Sequence, residues 1–387
     1  MPKKVLMVTG PVHTVPPLKG AAVETWMYEV SRRLSGYEPH IISISHPLYP
    51  LEEFRDGIYF HRIRFGKAYR RIFQKMTRLD PLSYQKRIAR IINQVRPDIV
   101  HMHNFTKWSD SLVSLIKNSD TKTLLHQHNE FFGAIPDTPV DHLLCCSRFI
   151  TELPSSLSIK AKGRSHIYNG VNLERFRPHW ECVRLKEEMR SRFGIKKDEF
   201  VAMYVGRVSP EKGVEHFIRS ALLLKEEKNI RFLVVGEIAK GQPGNKRVIY
   251  GKDMIKLAKP LGDKIIFTDV FPPSEIHLLY LSGNVMVVPS NFEEPFGMVG
   301  IEAMATGLPV IARKKGGITE YVADGTNGYL IDEERMCEDI AGKIRMLSAD
   351  NDLRMKIGRE GRKTVENGFS WEDIAKEVEK LYNKLTE

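Results

Sequence analysis

Between Val285 and Val310 the chain reads Val-Met-Val-Val, then Pro-Ser-Asn-Phe-Glu-Glu-Pro-Phe-Gly, then Met-Val-Gly-Ile-Glu-Ala-Met-Ala-Thr-Gly-Leu-Pro-Val. The run Val285–Val288 is short and wholly apolar, as a strand buried on both faces requires. Pro289 ends it. A helix is expected from about Gly297 to Thr306, stopped by Gly307, with a second strand from Pro309. Strand, loop, helix and strand in that order place the polar loop at a strand's carboxyl end, where open α/β sheets bind ligands. The amides of Phe296, Gly297, Met298 and Val299 would face an anion. Glu294 and Glu302 flank them as acceptors for hydroxyl groups, and together these features suit a phosphorylated sugar.

The same alternation runs through the chain and argues for parallel sheets covered by helices. In the first half, strands are expected at 4–9, 40–45, 58–63, 98–102, 122–126 and 142–146. A proline-rich loop spans 10–19, and Gly20 opens a helix reaching about Leu34. Asn169-Gly170-Val171 closes this half, and 172–180 reads as a connection. The pattern restarts with strands at 200–205, 231–235, 264–268, 285–288, 309–312 and 328–331, followed by charged amphipathic helices near 352–366 and 370–386. A length of 387 residues exceeds one ordinary core. The fold class is α/β: two Rossmann-like doubly wound domains facing across a cleft.

Charge narrows the partners. The formal net charge of +11 favours anions. Ten Lys or Arg and one acid, Asp80, lie between Arg62 and Arg90. Tyr69, Ile72, Phe73, Met76 and Leu79 recur there at helical spacing, with Arg70, Arg71, Lys75 and Arg78 between them. This reads either as a surface helix with its apolar face on the core, or as residues 62–90 making peripheral contact with an anionic membrane. No recognised nucleic-acid-binding module accompanies the charge, so nucleic acid is not an expected partner. No apolar run approaches the roughly 20 residues of a membrane span. The N-terminus reads as a first strand rather than a signal peptide. Cys145, Cys146, Cys182 and Cys337 lack metal-ligand spacing and read as reduced thiols, which implies a cytoplasmic location, on the membrane's inner face if the basic segment binds lipid.

A second polar cluster, Gly206-Arg207-Val-Ser-Pro-Glu-Lys212-Gly213, follows the strand at 200–205. Arg207 and Lys212 suit the neutralisation of a departing diphosphate. A glycosidase would also use two carboxylates, one as acid and one as base or nucleophile, but it has no need of the adjacent amides and cations. Asp350-Asn-Asp352 spells the aspartate pair of metal-dependent transferases; lying between charged helices, it reads as a helix cap. The first strand is not followed by the glycine fingerprint of dinucleotide binding.

These motifs together resemble the retaining GT-B glycosyltransferases of family 4. The likeness is carried by Glu294-Pro-Phe-Gly-Met-Val-Gly-Ile-Glu302, Gly206-Arg207 with Glu211-Lys212-Gly213, Asn169-Gly170-Val171 with Phe176 and Pro178, and Gly316-Gly317 with Glu320 and Gly325 to Gly328. It spans nearly the whole chain and is strongest after residue 165. It implies an acceptor-side domain at 1–172, a nucleotide-sugar domain at 173–368, and a last helix, 369–387, packing back on the first domain. It also implies a nucleoside-diphosphate sugar as donor, transfer with retention, a glycan or lipid-linked acceptor, and no metal or cofactor. Arg207 and Lys212 would hold the diphosphate, Glu302 the ribose, and Glu294 with the amides of Phe296 to Val299 the sugar.

The first half matches more loosely. Where the family has two glycines, this chain has Gly20 followed by Ala21, so Gly20 alone is carried over as donor-binding. His128, in His126-Gln-His128-Asn-Glu130, matches the family's active-site histidine and is assigned with Glu294 to the catalytic centre. His126 reads as structural; His101 and His103 are candidates to line the acceptor pocket. Their one-residue spacing on strand ends argues against zinc. The loops Val15-Pro-Pro, Gly20-Ala-Ala and His128-Asn-Glu-Phe also resemble bacterial transferases linked to spore-coat polysaccharide. A nucleotide-sugar epimerase on the same fold and a non-catalytic coat or glycan-associated protein are the competing functions.

Overall fold

A computed structural model describes every residue except 1, 19, 65–75, 77–82, 106–107, 131–134, 239–243 and 269–270. The chain forms two compact units, one of residues 1–170 with 371–387 and one of 171–370.

The first unit is built on an eight-stranded sheet. Its strands are β1 (Lys3–Thr9), β2 (Tyr37–Ile44), β3 (Glu52–Arg55), β4 (Ile58–Ile63), β5 (Ile99–His103), β6 (Lys122–Gln127), β7 (Val140–Cys145) and β8 (Ala161–His166). They lie in the order β3-β4-β2-β1-β5-β6-β7-β8. All neighbours are parallel except β3, which runs against β4. Val5 to Val8 are fully buried, which is why that strand reads as a continuous apolar run. β3 and β8 are not anticipated from the sequence. Both are edge strands, and Glu-Glu-Phe-Arg and Ala-Lys-Gly-Arg-Ser-His carry no apolar run because an edge leaves one side to water.

The C-terminal helix, Trp371–Thr386, belongs to this unit. Trp371 lies against Gly170, leaving no room there for a side chain. Tyr382 packs edge-on to Tyr37 at 5.3 Å, and the Glu379 carboxylate accepts from the Gly36 amide at 2.8 Å.

Most of the basic segment 62–90 lies outside the described residues. Its first residue departs from the surface-patch reading. The Arg62 side chain is fully buried, paired with Glu53 at 2.8 Å, and lies 4.7 Å from both the Tyr49 and Phe60 ring centroids. Beyond the segment's middle, Tyr84–Val95 is a helix capped by Ser83, with Tyr84, Ile88, Ala89 and Ile92 inward. No helix among the described residues is long and apolar enough to cross a membrane.

The second unit holds a six-stranded parallel sheet: β9 (Phe200–Val205), β10 (Ile230–Val235), β11 (Ile265–Thr268), β12 (Val285–Val288), β13 (Val310–Arg313) and β14 (Gly328–Ile331). The order β11-β10-β9-β12-β13-β14 is that of a dinucleotide-fold sheet. Strand order reverses between β9 and β12, so the two loops that sequence reasoning singled out leave the sheet side by side. Phe217, Phe232, Val285, Ile311 and Ile344 belong to the core of this unit.

Asp350 caps the helix Asn351–Glu366, its carboxylate accepting the Leu353 amide at 2.9 Å. Asp350→Ala is expected to cost about 1 kcal/mol of stability in urea unfolding and to leave activity intact. A variant of native stability that lost activity would instead assign Asp350 to the chemistry.

Candidate active site

At the switch point of the second sheet, β9 leads into Gly206-Arg207 and a single turn, Pro210–Lys212. The turn ends on Gly213 at φ +68°, where a side chain would run into the Pro289 carbonyl after β12. Close packing lets the two loops bind one another: the Asn291 amide donates to the Glu211 carbonyl at 2.9 Å, and Asn291 Nδ2 to the Pro210 carbonyl at 2.7 Å. The Lys212 ammonium consequently reaches both oxygens of Glu294, at 2.8 and 3.1 Å. Ser290 Oγ donates to the same carboxylate at 2.5 Å, and Lys212 Nζ stands 4.6 Å from the Phe292 ring centroid. Glu294 is only 6% exposed. Arg207 differs: its side chain is 58% exposed, and its nearest carboxylate is Glu211 at 3.7 Å.

The loop carrying Glu294 is held by the Gly316-Gly317 pair. The Gly317 amide donates to the Glu294 carbonyl at 2.7 Å. A Cβ on either glycine would collide with the backbone of residues 293–296, and Gly316 also takes φ +78°. Phe296 is buried against Tyr321 and Phe369, at 5.2 and 6.0 Å. Gly297, at φ +88°, then starts the helix Met298–Ala305 without a side-chain cap. Tyr321 Oη donates to the Gly297 carbonyl at 2.7 Å. By helix geometry the amides of Met298 and Val299 have no acceptor one turn earlier, and they form the positive end of the helix dipole.

Glu302 lies one turn inside this helix, with Tyr280 Oη donating to it at 2.6 Å. Burial pushes its carboxyl up to about 7, against the opposing pull of the Tyr280 hydrogen bond and of Arg175. The second unit therefore brings Lys212, Glu294 and the first turn that follows Gly297 together around one loop, with Glu302 further along the same helix. Sequence reasoning missed Ser290, Tyr280 and Tyr321. Ser290 sits where a strand-end rule would have found it, whereas nothing in the spacing of the two tyrosines marks them.

In the first unit, β5 and β6 deliver His101, His103, His126 and His128 as one buried stack. His101 Nε2 is 3.2 Å from His126 Nδ1, and His103 Nδ1 is 3.0 Å from His128 Nε2. His101 Nδ1 lies 2.6 Å from Tyr382 Oη. Trp26 packs against all four rings, at centroid distances of 4.8 to 5.9 Å. Burial takes all four imidazoles below their ordinary range, His128 to about 3. They are therefore neutral at physiological pH. His101, His103 and His126 bring ring nitrogens within 4.8 Å of one another. The nitrogens that face each other are committed to the His–His bonds, while Nε2 of His103 and of His126 has no partner. His101 and His103, read from the sequence as pocket-lining, are thus part of the same stack as His126. Gly20 departs from its expected helix-opening place: the helix runs Ala22–Ser31 with Ala21 at its cap. Space is open around Gly20, so nothing in the fold requires a glycine there.

Two doubly wound units of this kind define the GT-B glycosyltransferase fold. Sucrose-phosphate synthase of Thermosynechococcus elongatus superposes with a TM-score of 0.79 at 20% identity, covering 99% of both chains. HepE of Anabaena, in complex with UDP-glucose, gives 0.76 at 18% identity, covering 98% of this chain and 99% of the other. Residues 186–364 match the family model described as "Glycosyl transferases group 1", and residues 23–175 match "Glycosyltransferase Family 4". The chain is 33% identical over 385 residues to the lipopolysaccharide 1,2-N-acetylglucosaminetransferase of Salmonella typhimurium, covering 98% of each. It is 27% identical over 396 residues to spore coat protein SA of Bacillus subtilis, covering 98% of this chain and 99% of the relative. The protein belongs to the group 1, family 4 glycosyltransferases and is an enzyme of the transferase class.

The Glu302 environment gives a signed prediction. Its folded carboxyl titrates near 7, above its ordinary 4.5, so between those values the folded state holds a proton that the unfolded state has lost. Stability from this group is greatest below about pH 4.5 and falls as pH rises towards about 7. Glu302→Gln should remove that part of the decline while keeping an acceptor for Tyr280. Melting temperatures across this range would show it; identical slopes in both proteins would contradict the assignment.

Proposed function

We propose that the protein transfers a hexose or N-acetylhexosamine from a nucleoside-diphosphate sugar to a glycan or lipid-linked acceptor of a cell-surface or spore-coat polysaccharide. Transfer proceeds with retention at the anomeric carbon and without a metal ion. One observation carries the reading: a buried carboxylate, Glu294, held between Lys212 and Ser290, beside a helix start with no side-chain cap. The name of the Salmonella typhimurium relative favours an N-acetylhexosamine and a surface glycan, and uridine is the first base to test because HepE was solved with UDP-glucose.

In this reading the diphosphate lies against the first turn at Met298 and Val299. Their amides and the Arg207 guanidinium take up negative charge as the bond from the anomeric carbon to phosphate oxygen breaks. Glu302 accepts from the ribose hydroxyls in its ionised form, so donor affinity should rise with pH through the neutral range. Glu294 accepts from a sugar hydroxyl and fixes the ring. Lys212 has two tasks, orienting Glu294 and meeting the diphosphate. On the acceptor side, His128 is neutral and serves as a hydrogen-bonding group rather than a cation. Gly20, in its open loop, is assigned to the donor phosphates through its backbone amide. The basic segment following the buried Arg62, up to residue 90, is where an anionic membrane surface on the cytoplasmic side would be met.

Arg207 separates function from folding most cleanly because it is exposed and has no buried partner. Arg207→Ala should leave the melting temperature unchanged and lower turnover roughly 10²- to 10³-fold, the effect of losing one donor to developing charge. Near-native turnover would sink the assignment. EDTA should leave activity intact, and the product's anomeric proton coupling should match that of the donor. An isomerised donor formed without acceptor would favour the epimerase reading.

A further inference from the structure

The second unit contains a cavity of about 690 Å³ away from the residues assigned above, walled by His179, Trp180, Lys186, Arg190, Lys196 and Lys197. It opens beside the helix Val183–Arg192, at the amino ends of β9 and β12. Asn284, which precedes β12, binds both the β9 amide of Val201 at 2.8 Å and Arg190 at 2.5 Å. The residues assigned to the donor leave the carboxyl ends of these strands. Six residues of β9, at roughly 3.3 Å each, put the two places about 20 Å apart.

The charges in this cavity do not balance. Arg190 is buried, yet it donates only to neutral acceptors: Asn284 and the carbonyls of Ser282, Lys196, Lys197 and Glu199, at 2.5 to 3.3 Å. Arg354, which is not part of the wall but whose charge reaches Lys186 and His179, likewise donates to the Leu347 carbonyl and to Asn351 Oδ1. Lys186 Nζ has, among the described residues, only His179 Nδ1 as a partner, at 3.4 Å. Among the described residues no carboxylate lies within ion-pair distance of these three cations. The nearby acids have closer partners: Glu187, itself on the wall, pairs with Lys197 at 2.8 Å, Glu199 with Arg231 at 3.5 Å, and Asp350 caps its helix, while the charges of Glu199 and Asp350 still favour the Arg190 and Arg354 cations. Burial and the charges of Arg190 and Arg354 pull the Lys186 ammonium down to about 8. Burial, followed by Lys186, Arg354 and Arg190, takes His179 to about 3.

Partly buried cations without counter-charge are costly, and a cavity of this size suits a small molecule. We infer that this cavity is a second ligand site, binding a phosphate group between Lys186 and Arg190. The rest of a phosphate ester would lie along Trp180, whose ring packs on Gly307. Lys196 at the wall raises the local concentration of anions, while Lys197 is paired there with Glu187.

Inorganic pyrophosphate, titrated calorimetrically into the full-length protein, tests the inference. Lys186→Met keeps the apolar stem and relieves like-charge repulsion, so the variant should fold with an unchanged or raised melting temperature. It should bind pyrophosphate roughly ten- to a hundredfold more weakly, the loss of one charge-assisted bond. Arg207→Ala should retain the Lys186-dependent binding. Undiminished affinity in Lys186→Met, or no binding by the wild type, overturns the site. Co-sedimentation with phosphatidylglycerol vesicles that depends on Lys186, without pyrophosphate binding, would overturn a soluble ligand in favour of a lipid headgroup.

Discussion

A carboxylate taken out of water must find a cation and hydrogen-bond donors, and Glu294 finds them across two loops. Lys212 comes from the turn after β9 and Ser290 from the end of β12. Removing one partner of such a pair costs about 3–5 kcal/mol, because the remaining charge stays buried. Much of the neighbourhood serves this contact. Gly213 lets the two loops touch, Gly316 and Gly317 clamp the backbone around Glu294, and Tyr321 fixes Gly297 where the helix begins. The same bonds that hold the carboxylate of the proposed donor site also hold the second unit's loops together.

Most of the second sheet was legible in the sequence because its central strands are buried on both faces and read as apolar runs. β9 and β12 begin and end where those runs do, and the edge strand β14 was legible too because Gly328, Tyr329 and Ile331 are buried. The edge strands β3 and β8 were not legible, since their exposed sides let them be built from polar and charged residues. Asp350 was correctly read as a cap. Arg62 shows the opposite limit: a sequence records its charge, but its place between Tyr49 and Phe60 depends on contacts set by the sheet.

The candidate site was legible as residue types and not as partnerships. Glu294, Glu302, Arg207 and Lys212 stand out by their glycine-rich surroundings, yet Lys212 and Glu294 are 82 positions apart and their bond follows only from the strand order. The four histidines were visible as two one-residue-spaced pairs. Parallel pairing of β5 with β6 turns them into one stack, and their burial makes them neutral. Tyr280, which supports Glu302, had no sequence signal.

The proposed dependence of donor recognition on the Lys212–Glu294 contact is tested most directly by a double-mutant cycle. Calorimetric affinities for a UDP-sugar would be compared for the wild type, Lys212→Met, Glu294→Gln and the double variant. If the two groups act as one unit on the donor, the losses are non-additive, with a coupling of about 0.5–3 kcal/mol. Losses that add within about 0.5 kcal/mol would mean that each residue meets the ligand independently, and would contradict the account.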